Sequence, residues 1–161
     1  MKKLLSIFFT LCLLTHFGIQ RAEAAESNFK VAKYEVHVLR IANTLRYDFL
    51  ITNKKPLKSE KIPNFRGYHY QMPPIEIAVI AGKKLSSVMV MEKFHNSQEL
   101  KMLPAGGSTG GNLRIEKSVV FSVEYQIKKG ADFKKVREYA SDGSVLIFDG
   151  MKEVAEFPLN K

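Results

Sequence analysis

The 161-residue sequence predicts an all-β protein, an antiparallel β-sandwich of immunoglobulin-like type, with a small β-barrel as the alternative closure. Three observations predict it. Apolar and polar residues alternate with a period of two through much of the chain beyond residue 24, the pattern of strands with one buried face. Turn signals built on Gly, Pro, Asn and Asp separate these runs at short intervals, which gives eight or nine short strands. No segment carries a long helical stripe, and no internal repeat is present. The sequence has no tryptophan and a single cysteine, so the buried Trp and the inter-sheet disulfide of antibody domains are missing.

Taken in order, Tyr34, Val36 and Val38 alternate with Glu35 and His37 in a first strand. Leu45, Tyr47, Phe49 and Ile51 alternate with Arg46, Asp48 and Thr52 in a second, which ends at Asn53. Ile75, Ile77, Val79 and Ala81 make a third, closed by Gly82-Lys83-Lys84. Residues 85–93 read as a fourth strand that is apolar on both faces, Val88 and Val90 on one and Met89 and Met91 on the other. Leu113 and Ile115 form a short strand ahead of the clearest one. There Val119, Phe121, Val123, Tyr125 and Ile127 share a face opposite Ser122, Glu124 and Gln126. The tail reads as hairpins, with Asp142-Gly143 turning between 136–139 and 145–148, and Asp149-Gly150 turning before 154–157. Residues 131–140 fit two periods, because Phe133, Val136 and Ala140 also lie on a helical stripe; the second half is assigned to a strand.

The N-terminus has the three parts of a secretory signal peptide, assigned to residues 1–24. Lys2 and Lys3 precede an apolar run over 4–19, and Ala22-Glu23-Ala24 sets small residues at the cleavage site. Polar interruptions make the run a poor permanent anchor. Leu11 stands before Cys12 where lipoprotein processing needs a small residue, so lipidation is not expected. Cleavage leaves a single domain, 25–161, of 137 residues with 22 basic and 15 acidic side chains, a net charge of +7. The only cysteine leaves with the signal, so burial and not disulfides must stabilise the domain. The expected location is periplasmic or secreted, with no transmembrane segment in the mature chain.

A basic balance outside the cytoplasm favours an anionic surface, a glycan or an acidic protein as partner; nucleic acid is not expected there. Residues 54–74 form the segment best suited to such a partner. Lys58, Lys61 and Arg66 lie close in sequence to Phe65, Tyr68 and Tyr70, and cations beside flat amphipathic rings suit sugars, headgroups or acidic peptide. These six are the candidate binding residues. The alternative for the same rings is packing over a sheet edge, with the lysines merely solvated. Residues 104–112 contain four glycines but lack the Gly-Lys-Ser/Thr ending of a phosphate loop, so a flexible strand connection is expected.

No cofactor or metal site is expected. Met89, Met91 and His95 come nearest to a soft-metal set, yet methionines on a buried strand face usually fill core gaps. Glu35 and His37 share an exposed strand face and can pair, but no nucleophile accompanies them. The sequence thus points away from an enzyme and towards an exported soluble binding module that meets an anionic partner through its basic aromatic loop. Two alternatives stand beside it: an inhibitor or assembly chaperone acting by strand-edge pairing, and a small-ligand carrier.

Overall fold

The computed structural model describes residues 27–56, 75–93 and 100–160. In chain order the elements are β1 (Phe29–Leu39), β2 (Thr44–Asn53), β3 (Ile75–Ala81), α1 (Lys83–Val88), β4 (Met91–Lys93), β5 (Leu100–Met102), β6 (Pro104–Thr109), β7 (Ser118–Gln126), α2 (Phe133–Tyr139), β8 (Gly143–Asp149) and β9 (Lys152–Pro158). All strand pairing is antiparallel. Among the described residues one sheet runs β1-β2-β7-β6, a second β3-β8-β9, and β4 and β5 form a small pair; none of these closes into a barrel.

Alternation sets the core. Leu45, Tyr47, Phe49 and Ile51 of β2 have no exposed surface, and Val119, Phe121 and Tyr125 of β7 bury the same face of the sheet. The three-stranded sheet adds Ile75, Val79, Val145 and Ile147 to the same apolar cluster. Tyr47 and Phe49 stack at 5.8 Å between centroids, and Tyr47 meets Tyr125 edge-on at 6.4 Å. The buried phenols are satisfied: Tyr47 Oη donates to the Ala140 carbonyl at 2.7 Å, and Tyr125 Oη accepts from Val79 N at 2.7 Å. Burial pushes both phenol pKa values up, although the Val79 N–H partly offsets the rise at Tyr125.

Four expected elements differ. The strand over 85–93 is instead α1, then an isolated bridge at Met89, then β4. Leu85 and Val88, at i and i+3, are buried on one face of the helix, and Met89, already extended, is buried through its bridge to Ile127. The helix begins because the Asp142 carboxylate accepts from Lys84 N (2.7 Å) and Leu85 N (3.2 Å), a cap supplied from far along the chain.

Residues 133–139 are α2, not strand: Asp132 caps it by accepting from Lys134 N at 2.8 Å, and Val136 and Ala140 are buried on its stripe. The Asp142-Gly143 hairpin is therefore a helix-to-strand connection. A Cβ on Gly143 would collide with the Ile80 carbonyl oxygen, so glycine there lets β3 approach β8. Leu113 lies in a turn, not a strand. Asn112 accepts Arg114 N on its side chain and Glu116 N on its carbonyl, while Leu113 plugs the core at 1% exposure. Finally, the glycine-rich connection is in large part β6, an edge strand whose six residues are all exposed. The Asp149-Gly150 turn is present, with Gly150 at φ +61°.

Candidate functional site

Arg66, Tyr68, Tyr70, Lys58, Lys61 and Phe65 lie outside the described residues, as do His69 and His95. Their segment leaves β2 at Asn53 and enters β3 at Ile75. These two anchors sit at one end of the fold: Asn53 Nδ2 donates to the Leu113 carbonyl, Arg114 pairs with Asp149, and Asp149 is the register partner of Ile75. Met89 is fully buried core and Met91 packs partly against the cluster. Among the described residues no group of three His, Cys, Asp or Glu side chains could hold a metal ion.

The pairing of Glu35 with His37 belongs to a larger network on the outer face of the four-stranded sheet. Register places Glu35 opposite Asp48 and Asp48 opposite Ser122, and in the next row His37 opposite Arg46 and Arg46 opposite Glu124. His37 Nε2 lies 3.6 Å from Glu35 and 3.4 Å from Asp48. Ser122 Oγ donates to Asp48 and accepts from Arg46 Nη2 at 3.1 Å, while Arg46 Nε donates to Asp48 at 2.9 Å. Burial works against the charge on Asp48. Hydrogen bonds from Ser122 and Arg46, with the charges of Arg46 and His37, outweigh it and hold the carboxyl below the usual range. Glu35 is lowered too, by the hydrogen bond and charge of Lys33. Both carboxyls are thus held towards the ionised form. Ser122 moreover bonds to a carboxylate and not to the imidazole. The network closes on itself.

The densest group of exposed bases among the described residues lies at the end of the molecule bearing the helices. Three Lys-Lys doublets converge there: Lys83-Lys84 on α1, Lys128-Lys129 in the turn after β7, and Lys134-Lys135 on α2. Arg137 and Arg40, the latter in the β1–β2 turn, complete eight exposed bases. The segments touch. Lys128 Nζ donates to the carbonyls of Ser86 (3.4 Å) and Ser87 (2.9 Å), and Asn43 Nδ2 donates to the Ile127 carbonyl at 2.7 Å. The Arg40 guanidinium lies 5.7 Å from the Phe133 ring centroid. Among the described residues none of the eight makes an ion pair. In the described segments that carry them, Asp132, Glu138 and Asp142 are the acids, which leaves a net of five positive charges, and two of those acids are engaged as helix caps. The remaining described residues hold ten bases and nine acids. The sequence pattern points to residues 54–74 and not to this end. Its signal was the three doublets, which become one surface only when the fold brings them together.

A cleft of about 610 Å³ opens beside β3, walled by Ile80, Leu100, Met102, Tyr125, Leu146 and Phe148. Lys101, Glu124 and Glu153 stand around it, and Lys101 pairs with Glu92 at 3.1 Å. No helix among the described residues is long and apolar enough to cross a membrane. Compared with known protein families, curated proteins and solved structures, the chain matches none.

Proposed function

We propose that this chain is a non-catalytic, exported binding module whose helix-bearing end docks on an anionic partner outside the cytoplasm. The charge asymmetry carries the reading: five net positive charges on the helical end against one on the rest of the described chain. The lysines also stand at the helix N-termini, beside the capping carboxylates of Asp142 and Asp132. Lys83 and Lys84 open α1, Lys134 and Lys135 lie in the first turn of α2, and neither first turn holds an acid. A helix N-terminus disfavours cations, so these four lysines are better explained by something outside the helices than by helix stability. Export rests on the basic, apolar and small-residue order of residues 1–24. For the fold, the immunoglobulin-like sandwich remains the proposed arrangement, supported by two antiparallel sheets that contribute to one apolar cluster.

The test is capture of partners by the exported product from envelope and culture-medium fractions, at low and high salt. The expected result is an anionic partner held at low salt and released at high salt. A partner retained equally at both would contradict the reading. The cleft beside β3 favours a second reading, a small-ligand carrier, because its volume and apolar walls suit a drug-sized molecule. That reading expects an apolar molecule to co-purify, and its loss on Leu146→Glu.

A further inference from the structure

We infer that the anionic partner of the basic end is a lipid bilayer surface, into which Ile41 inserts. The inference rests on the reading of the basic end and names its partner.

Ile41 is fully exposed, at 106% of its reference area, on the tip of the β1–β2 turn. The tip is held in place. Asn43 sits at φ +55° with its N–H donating to the Arg40 carbonyl at 3.3 Å, and Ile127 N donates to the Asn43 carbonyl at 2.9 Å. Arg40, next in sequence, is placed by the Phe133 ring. An apolar side chain is therefore presented on a fixed turn at the end that carries eight exposed bases, none in an ion pair among the described residues. An acidic protein face or a polysaccharide would satisfy the cations and leave Ile41 without a role. An anionic bilayer satisfies both, since headgroups meet the lysines while the interface takes up the apolar tip. The molecule supplies its own control. Met151 is as exposed, at 102%, on the β8–β9 turn, but that turn lies at the opposite end, beside the Asp149–Arg114 pair and away from the doublets.

The experiment measures partition of the exported product onto vesicles of phosphatidylcholine alone and of phosphatidylcholine with one-third phosphatidylglycerol. Wild type, Ile41→Asp, Met151→Asp and Lys134→Glu/Lys135→Glu are compared, with soluble poly-glutamate as a lipid-free polyanion. The expected result is binding to the anionic vesicles only. Ile41→Asp should weaken it about tenfold, from lost insertion and an added negative charge. Met151→Asp, which adds the same charge, should change it less than about twofold. The lysine reversal should weaken both vesicle and poly-glutamate binding. No vesicle binding, or equal losses from Ile41→Asp and Met151→Asp, overturns the lipid assignment. If poly-glutamate binding then still depends on Lys134 and Lys135, the basic-end reading survives; if the reversal changes neither ligand, that reading falls as well.

Discussion

The guanidinium of Arg40 lies over the ring of Phe133, 5.7 Å from its centroid, and this contact joins the β1–β2 turn to α2. It links the exposed tip at Ile41 to the lysine doublet that follows Phe133. Replacing Phe133 with Leu keeps an apolar side chain and removes the ring. The expected cost is about 0.5–1 kcal/mol in chemical denaturation, the usual range for an exposed cation–π contact. Amide exchange at Asn43 and Ile127 should quicken at the same time, and unchanged exchange would show that the turn is held by its backbone alone.

Lys135→Glu should raise stability while lowering binding. Position 135 is three residues past the cap at Asp132, where an acidic side chain can complete a capping box and favour the helix N-terminus. A gain of about 0.3–1 kcal/mol is expected, read as a higher melting temperature. Loss of stability would mean that the lysine has a structural duty in α2 not visible in its contacts.

Tyr125→Phe removes the acceptor for Val79 N and leaves a buried donor on β3 unpaired. The expected destabilisation is about 1–3 kcal/mol, greater than for deleting an exposed hydroxyl. Urea unfolding monitored at two wavelengths measures it and checks that the transition stays two-state.

Acid should unfold the protein partly through Asp48. Its carboxyl is lower in the folded chain than in the unfolded one, so its contribution is fully present above the unfolded value, about 4. That contribution is lost as pH falls through the lower folded value. Asp48→Asn should therefore flatten the dependence of stability on pH below about 4 and lower stability at neutral pH. An acid limb of unchanged steepness would place the protonating groups elsewhere.

The strands that alternate cleanly were legible in the sequence. Leu45, Tyr47, Phe49 and Ile51, and Val119, Phe121 and Tyr125, face inward as their period requires. The misreadings share a physical cause. Leu85 and Val88 stand at a helical spacing inside a run that also reads as a strand, and the deciding cap comes from Asp142, which no local window includes. The glycines of β6 weaken strand propensity, but pairing with β7 overrides it. The candidate site was legible only as scattered lysine doublets. Their convergence depends on tertiary contacts such as Lys128 to the end of α1.

The central claim, that the helical end and not net charge alone binds an anionic partner, is tested by matched charge reversals. One variant changes Lys83, Lys129, Lys134 and Lys135 to Glu; the other changes Lys30, Lys55, Lys117 and Lys152, exposed lysines towards the opposite end. Both lose the same charge, so binding to anionic vesicles and to poly-glutamate at low salt isolates position from amount. The account predicts at least a tenfold loss for the first variant and less than about threefold for the second. Equal losses in the two variants would contradict it.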